Sequence, residues 1–398
     1  MKRIVITLGQ LNCGKRACAV FLLCALAAIT LPAQTLTTLA SFNHTNGSGP
    51  YAGLVQATNG DFYGTTYFGG ARDVGTVFKI TPSGTLTELH DFCCRDGEGP
   101  LGGLVQATNG DLYGTTNYGG PNDGGTVFKI TPSGTLTTLH SFCAQANCAD
   151  GNGPMGALVQ VANGELYGTT YLGGPNNAGT VFKITSSGTL TAIYSFCAQA
   201  NCTDGEYPPA GLVRGAHGDL YGTTFLGGAY SSGTVFQITP EGMLTTLHSF
   251  CAEADADCAD GSEVYAGLAR GTDGNFYGTT SSGGANSEGA VFQITPSGTL
   301  TTLYNFCSEA NCTDGENPRA GLVQATNGDF YGTTVGNLTT NYGTVFSLSL
   351  GLGPFVKSVP DVGAVGFAVE ILGTNLTGAN AVCCSGWAAC QALAGAVL

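Results

Sequence analysis

Paired cysteines at short, repeated spacing are the residues of this sequence best suited to chemistry. They occur in the segments CAQANCADG, CAQANCTDG, CAEADADCADG and CSEANCTDG, which begin at Cys143, Cys197, Cys251 and Cys307. Such pairs form local disulfides in an exported chain or ligate zinc. A structural zinc site needs two close pairs that converge on one ion, whereas each pair here falls in a different segment. We therefore predict four disulfides: Cys143 with Cys148, Cys197 with Cys202, Cys251 with Cys258, and Cys307 with Cys312.

Two further sets of side chains bear on metal and redox chemistry. Cys93 and Cys94 are adjacent, which leaves either a strained vicinal disulfide or two reduced thiols. Carboxylates and loop carbonyls suit calcium, but the spacing of the acidic residues does not match an EF-hand loop, and a solvated acidic loop is the alternative. The calcium candidates lie in ADADCADGSE: Asp255, Asp257, Asp260 and Glu263. No other cofactor is expected.

Catalytic groups are not evident in the sequence. Catalysis needs two groups of different pKa in one cleft, and we find no unrepeated pair of carboxylates and no nucleophile beside a base. Three histidines occupy one repeated position that other repeats fill with tyrosine or alanine, which favours structural tolerance over acid/base work. They are His90, His140 and His248, against Tyr194, Tyr304 and Ala40. We therefore expect a protein that is not an enzyme.

The elements that position these loops come from an internal repeat. YGTT occurs six times, at Tyr63, Tyr113, Tyr167, Tyr221, Tyr277 and Tyr331. Each repeat contains four short segments, which in the first are GLVQAT, DFYGTTYF, GTVFKIT and TLTELHDF. An Asn-Gly type turn joins the first two and a Pro-Ser-Gly type turn joins the last two, as in β-hairpins. Four antiparallel strands at a period of about 50 residues are typical of propeller blades.

The register of the repeats predicts how the ring closes. After the N-terminal apolar run, the repeats begin with a fourth segment, TLTTLASF from Thr35, and the last repeat stops after its third. We predict an all-β, six-bladed β-propeller of four-stranded antiparallel blades, in which the N-terminal strand at 35–42 closes the last blade, begun by residues 321–348. Within it YGTT is expected to belong to the core, with tyrosine packed between blades and glycine allowing close approach.

The N-terminus and the charge indicate where the protein works. Basic residues precede the apolar run ACAVFLLCALAAI, whose thirteen residues are typical of a signal peptide over 1–33 and short for a membrane span of roughly 20. The chain has 13 basic and 27 acidic residues, a formal net charge of −14. This charge disfavours nucleic acid and favours divalent cations or neutral polymers. We expect a secreted or cell-surface monomer without a transmembrane segment after cleavage.

The repeat unit, G-[DEN]-[FL]-Y-G-T-T followed by VF-x-[IL] and P-S-G-T-L-T, resembles the choice-of-anchor family named GloVer over residues 35–348. That resemblance implies a secreted or surface-displayed bacterial protein and no established activity. VEILGTNLTGA, from Val369, resembles an IPT/TIG immunoglobulin-like domain. The expected domains are thus the signal peptide, the propeller over 34–350, a partial IPT/TIG segment over 351–382, and a tail over 383–398 that we expect to be aberrant and disordered, from a frameshift or truncation.

These observations predict an exported, non-catalytic propeller that acts as an extracellular or cell-surface binding or display module. Its expected partner is a polysaccharide or another surface protein. Two alternatives remain open at the level of sequence: a polysaccharide-active enzyme and a purely structural envelope protein.

Overall fold

A computed structural model describes residues 38–251, 258–336 and 342–359, together with the backbone of 370–373, 381–382 and 391–392. The predicted signal peptide at 1–33 lies outside these residues. The chain separates into two units, Met1–Ser41 and Phe42–Leu398. In the first unit, the described residues 38–41 form no strand. The second unit contains the repeats.

Each repeat folds into a short inner strand, two central strands and an outer strand. The inner strands are β1 (Val55–Gln56), β5 (Val105–Gln106), β9 (Val159–Gln160), β13 (Val213–Arg214), β17 (Ala269–Arg270) and β21 (Val323–Gln324). The second strands, which carry YGTT, are β2 (Phe62–Thr66), β6 (Leu112–Thr116), β10 (Leu166–Thr170), β14 (Leu220–Thr224), β18 (Phe276–Thr280) and β22 (Phe330–Thr333). The third strands are β3 (Thr76–Ile80), β7 (Thr126–Ile130), β11 (Thr180–Ile184), β15 (Thr234–Ile238), β19 (Ala290–Ile294) and β23 (Val345–Leu348). The outer strands are β4 (Leu86–Asp91), β8 (Leu136–Ser141), β12 (Leu190–Ser195), β16 (Leu244–Ser249) and β20 (Leu300–Asn305).

The sheets are antiparallel meanders in which each strand pairs with the next along the chain. Five sheets have four strands, and the sixth has three within the described residues. We call them blades 1 to 6 in chain order. Segments from all six line one central cavity, so the blades form a ring and the predicted six-bladed β-propeller is confirmed.

The N-terminal strand predicted at 35–42 is only partly described. Residues 35–37 lie outside the described residues and 38–42 contribute no strand, so its pairing with blade 6 stays a prediction. Phe42 packs edge-on against Phe78 of blade 1, with ring centroids 5.0 Å apart. Phe92, directly after β4, packs in the same way against Phe128 of blade 2, at 5.2 Å. Phe42 therefore fills the place that the end of a preceding outer strand fills elsewhere in the ring.

The hydrophobic core lies between neighbouring blades. At the junction of blades 1 and 2, Tyr63, Val77 and Phe92 pack against Leu112 and Phe128, all fully buried. Four further clusters repeat this arrangement at the following junctions. Burying aromatic side chains in this way supplies most of the favourable free energy of folding at each junction.

YGTT proves to be a packing motif, as predicted. Tyr63 is fully buried, and a Cβ on Gly64 would lie 2.7 Å from both Leu54 Cδ2 and Phe78 Cζ, so only glycine fits. The Thr65 hydroxyl donates a 3.5 Å hydrogen bond to the carbonyl of Gly102 in the next blade. Thr66 pairs with Thr76 on the adjacent strand, at 2.9 Å. The motif therefore ties each blade both to itself and to its neighbour.

Short strands β24 (Val356–Val359) and β25 (Glu370–Gly373) form one hairpin after the ring, and β26 (Ala381–Val382) and β27 (Gln391–Ala392) form another. The IPT/TIG resemblance and the aberrant tail at 383–398 stay predictions, since most of these residues lie outside the described part of the chain.

Candidate functional site

The ring has two unlike faces. Tight turns between the first and second strands, and between the third and fourth, lie on one side, which we call the hairpin face. Longer connections between the second and third strands, and from each outer strand to the next blade, lie on the other, which we call the loop face. Long, varied loops on a rigid scaffold are where binding residues usually occur.

The cysteine loops on the loop face are disulfide-bonded as predicted: Cys143–Cys148, Cys197–Cys202, Cys251–Cys258 and Cys307–Cys312. Cys93 and Cys94 are free thiols. The Cys94 carbonyl accepts the amide of Gly120 at 2.7 Å, as the Cys148 carbonyl accepts that of Gly174 at 2.9 Å. Cys93 and Cys94 thus correspond to the two members of a pair whose intervening residues are missing.

An aspartate, fully buried in two of the loops, anchors each of these loops. Asp150 is 1% exposed and accepts hydrogen bonds from the amides of Ala144 and Gln145, each at 3.2 Å. It also lies 2.9 Å from Nε2 of His140. In the next blade Asp204 accepts a 2.7 Å bond from the Tyr194 hydroxyl instead. Histidine and tyrosine exchange at this position because each presents a polar hydrogen to the same carboxylate.

The same anchor recurs in the other cysteine-bearing loops. His90 lies 2.9 Å from Asp96, His248 lies 2.8 Å from Asp260, and the Tyr304 hydroxyl donates to Asp314 at 2.7 Å. Burial and the hydrogen bond to Asp314 raise the pKa of Tyr304 to about 12. Burial alone would raise the pKa of Asp314, but hydrogen bonds from Tyr304 and the loop amides lower it below its ordinary value. These acidic residues are structural.

Two of the four calcium candidates lie within the described residues. Asp255 and Asp257 lie outside the described residues. The Asp260 carboxylate binds His248 and the amide of Cys251, and Glu263 accepts a 3.3 Å bond from Ser282. In the described part of the chain, one group has metal-like spacing, Cys197, Cys202 and Glu206, and its two sulfurs are bonded to each other. Calcium binding at 254–263 stays a prediction.

A cavity of about 540 Å³ occupies the loop-face end of the central channel. Small residues at the start of each blade form its wall, and a Cβ on Gly156 would lie 2.1 Å from the amide nitrogen of Gly211. The residue before each small pair varies from blade to blade, and five of these side chains line the cavity: Leu101, Met155, Pro209, Tyr265 and Arg319. The scaffold is therefore constant where the blades touch and variable where the channel opens.

Aromatic side chains occur in several loops of the loop face, and one of them, Tyr265, lines the cavity. Tyr51, 68% exposed, packs edge-on against Tyr67 at 5.7 Å, and Tyr171 packs against Tyr207 at 5.3 Å. The ring of Tyr265 lies 4.4 Å from that of Phe225 and 4.9 Å from the Arg319 guanidinium.

The tyrosine hydroxyl groups of the loop face are close enough to influence one another. Burial raises the pKa of Tyr67, and the nearby Tyr118 and Tyr51 hydroxyls add to the effect. Burial likewise raises the pKa of Tyr171, with contributions from Tyr265 and Tyr207. The loop face thus combines apolar ring faces with hydroxyl groups.

Backbone conformation distinguishes blades 4 to 6 from blades 1 to 3 at this opening. One loop position before each blade has positive φ throughout the ring. Glycine occupies it before blades 1 to 3, as Gly49, Gly99 and Gly153. Before blades 4 to 6 it is Tyr207, Glu263 and Asn317, with φ of 56°, 58° and 55°. A bulky residue rarely adopts this conformation, and such outliers cluster at functional sites.

Two carboxylates lie together beside Asn317. Glu316 is 4% exposed and its Oε1 is buried without a hydrogen-bond partner. Burial raises the pKa of Glu288, and the charge of Glu316 adds to this. The Asn317 amide donates to Glu288 at 3.2 Å. Sequence analysis missed this pair because the two glutamates lie in different loops.

A second cavity, of about 570 Å³, opens at the hairpin-face end of the channel. Arg214, Arg270 and Gln324 line it, together with Phe355 from the segment after the ring. Sequence analysis did not identify these arginines, although aligning the repeats would have shown that they replace glutamine. Among the described residues, no helix is long and apolar enough to span a membrane.

Comparison with known proteins supports the fold. The family model of the Gloeobacter/Verrucomicrobia repeat matches residues 24–208 and 197–359. No curated protein matches the sequence. The extracellular domain of a proposed hybrid two-component system from B. thetaiotaomicron is similar, with a TM-score of 0.50 and 11% identity. The match covers 81% of this chain and 35% of that one, so this chain spans about a third of its length.

A proposed 6-phosphogluconolactonase from Bacteroides uniformis has a TM-score of 0.49 and 17% identity, covering 81% of this chain and 88% of that one. Another, from Bacteroides fragilis, has a TM-score of 0.47 and 20% identity, covering 77% and 82%. At 11% identity, the likeness to the extracellular domain concerns the fold alone.

Proposed function

Because this chain belongs to the Gloeobacter/Verrucomicrobia repeat family, whose model spans the whole ring, we propose that it is an exported, non-catalytic module that binds polysaccharide at the loop-face end of its channel. Export is supported by the four disulfides, since such bonds persist in oxidising compartments. It is supported also by the apolar N-terminal run that follows basic residues.

One observation carries the choice of ligand: Tyr265 lines the 540 Å³ cavity and packs against Phe225, and the Tyr171–Tyr207 pair lies in the loops of the same face. The negative face of an aromatic ring attracts the weakly positive C–H face of a sugar, and tyrosine hydroxyls add hydrogen bonds. Tyr207 holds its ring there despite an unfavourable φ, which costs about 1 to 3 kcal/mol. A neutral sugar polymer also suits a chain with a formal net charge of −14.

The test is binding of the purified protein to a panel of neutral plant and bacterial polysaccharides, with calcium and then with chelator. We expect saturable binding that falls at least about tenfold in Tyr265→Ala. Tyr207→Gly is a second variant whose fold is secure, because glycine occupies this position before blades 1 to 3. Met243→Ala, an exposed residue on the hairpin face, is the matched control.

Two outcomes would contradict this function. Absence of binding to every polysaccharide leaves the structural envelope protein as the better reading. Unchanged binding by Tyr265→Ala and Tyr207→Gly would move the site elsewhere on the ring. Loss of binding on chelation would instead support the acidic loop at 254–263 as a calcium site.

The second candidate is a polysaccharide-active enzyme, favoured by the Glu288 and Glu316 pair. Two carboxyl groups of different pKa are what glycoside hydrolysis uses, one as the acid and the other as a base or nucleophile. Release of reducing sugar in the same binding assay, abolished by Glu288→Gln, would support it. Binding without release supports the non-catalytic module.

A further inference from the structure

Glutamines in the inner strands form a repeated inter-blade bond at the hairpin-face end of the channel. The Gln106 carbonyl oxygen accepts the backbone amide of Thr58 in the preceding blade at 2.9 Å, and its amide donates to Gly110 at 3.0 Å. Gln160 makes the same bonds to Thr108 and Gly164, at 3.0 and 3.1 Å.

Gln324 accepts the amide of Thr272 in blade 5, at 3.0 Å. The glutamine at this position is therefore a link between blades.

Blades 4 and 5 replace this glutamine with Arg214 and Arg270. Arginine has no acceptor, so it cannot make the inter-blade bond. Within the described residues, no acceptor meets the amides of Ala162 and Ala216, which correspond to Thr58. The substitution removes two structural hydrogen bonds from one side of the channel, and stability does not explain it.

The two arginines lie next to each other and lack counter-charges. Their strands, β13 and β17, are in contact. The ion pairs of the described residues use lysine and histidine, and none includes either arginine.

The polar groups near the arginines form no ion pair with them. Nε of Arg214 is buried without a hydrogen-bond partner. Asp219 and Arg270 both act on the Tyr221 hydroxyl, and the Asp219 carboxylate accepts a 2.7 Å hydrogen bond from Gln237 rather than pairing with Arg270.

We propose that this cavity, lined by Arg214, Arg270 and the amide-bearing residue Ala216, binds an oxyanion carried by a small molecule or a sugar residue. Guanidinium groups bind carboxylate, sulfate and phosphate through paired hydrogen bonds, and free backbone amides complete such sites. The volume of about 570 Å³ suits a ligand of one to a few sugar rings. Arg214 is half-buried and Arg270 is exposed, so both guanidinium groups are accessible to such a ligand.

This site is independent of the proposed polysaccharide site, because it lies at the opposite end of the channel. A neutral polymer on the loop face and an oxyanion on the hairpin face would be recognised by different residues. A negative result for one of the two proposed sites therefore does not argue against the other.

The test is calorimetric titration of the purified protein with inorganic sulfate, inorganic phosphate and galacturonate, each at low ionic strength. Binding of the inorganic ions and of galacturonate alike indicates a general oxyanion site, whereas binding of galacturonate alone indicates an anionic sugar. The decisive variant is Arg214→Gln with Arg270→Gln, which restores the residue of the other four blades. We expect it to lose at least about tenfold in affinity while its melting temperature stays level or rises, since glutamine can accept the two free amides.

Arg72→Gln, an exposed residue of a loop-face connection outside both cavities, is the matched control and should bind like the wild type. The proposal is wrong if the wild-type protein binds none of the three probes at millimolar concentration. It is equally wrong if the double glutamine variant binds as well as the wild type, or if Arg72→Gln removes binding.

Discussion

Blades 1 to 3 and blades 4 to 6 share one scaffold but differ at both ends of the channel. The buried tyrosine, phenylalanine and threonine positions of blades 1 to 4 recur in blade 5, apart from Ala290 in place of a threonine, and in blade 6 Tyr331 and Phe346 are half-buried. The loop position of positive φ is glycine in the first half and Tyr207, Glu263 or Asn317 in the second. On the hairpin face, the arginines occur only in blades 4 and 5 of the described ring. Residues that hold the ring are largely constant, whereas these loop and inner-strand positions depart from the repeat in the second half.

A third difference lies in the third strands. Blades 1 to 3 carry Lys79, Lys129 and Lys183, which pair with Asp61, Asp111 and Glu165 at 3.6, 3.9 and 3.7 Å. Blades 4 and 5 carry Gln237 and Gln293 there, which donate to Asp219 and to the Tyr277 hydroxyl at 2.7 and 2.8 Å. The comparison teaches that the positions where one blade differs from the repeat consensus are the ones to examine for function in this ring.

The largest expected effect is a loss of stability at alkaline pH, caused by ionisation of the buried tyrosines. Because these tyrosines belong to the scaffold, the effect should be similar in the two halves. Burial and the charge of Glu165 raise the pKa of Tyr167 to about 12, and burial and the hydrogen bond to Asp273 raise that of Tyr277 to about 12. Below the ordinary value of 10.0 both states keep the proton and stability is full. From pH about 10 to about 12 the unfolded state loses its protons first, so the free energy of unfolding falls.

Circular dichroism and tyrosinate absorbance, followed together across this range, check the prediction. Tyr304→His is a matched control that removes one ionisable tyrosine and keeps the fold, because histidine holds the same aspartate anchor in blades 1, 2 and 4. The loss of stability between pH about 10 and about 12 should persist in this variant. Tyrosine ionisation with an ordinary midpoint, well before the sheet signal changes, would contradict it.

Next in size is the loss of a core phenylalanine from either half. Phe128→Ala in blade 2 and Phe292→Ala in blade 5 each remove a fully buried ring, and we expect each to cost about 3 to 5 kcal/mol. Denaturant unfolding measures both. Similar costs support a shared scaffold, whereas a much smaller loss in one half would break the comparison.

A smaller effect is expected at the position of positive φ. Gly153→Tyr forces a side chain into the left-handed region and should cost about 1 to 3 kcal/mol. Tyr207→Gly should change stability by less than about 1 kcal/mol, because relief of strain offsets the lost contact with Tyr171. If Tyr207→Gly raised the free energy of unfolding by as much as Gly153→Tyr lowered it, the contacts of Tyr207 would contribute nothing to stability. Thermal unfolding of the two variants separates these outcomes.

The smallest effect is expected for the lysine pairs of the first half. Lys79→Gln introduces the residue that blades 4 and 5 already carry, and partly exposed ion pairs contribute about 0 to 1 kcal/mol. We expect a change below about 0.5 kcal/mol that shrinks further in salt. A loss of several kcal/mol would mean that the lysines stabilise the first half specifically.

The parts of the molecule that repetition specifies could be predicted from sequence. Six copies of YGTT, the two hairpin turns and the paired cysteines each have a direct physical meaning, and the blades and the disulfides follow. The aspartate anchors were harder to find, because nothing in the sequence says that Asp204 will lie beneath Tyr194. The interchange of histidine and tyrosine was visible in the sequence, but the aspartate that both side chains contact could be identified only in the structure.

The candidate sites were beyond the sequence for a different reason. Prediction searched for residue types typical of catalysis and metals, whereas Arg214 and Arg270 matter because of what they replace. Glu288 and Glu316 belong to separate loops that only the ring brings together. Calcium ligands were sought in the acidic loop, yet Asp260 there bonds His248 as a structural anchor.

The cysteine loops have a consequence for protein engineering. Between their cysteines these loops contain no residues at Cys93 and Cys94, four residues at Cys143 and Cys148, and six at Cys251 and Cys258. In all three the second cysteine accepts the same amide from the neighbouring loop, at 2.7 to 2.9 Å. Since the ends of the loop stay fixed whatever its length, we expect that foreign peptides can be grafted between the cysteines, up to five in one ring, without changing the blades that carry them.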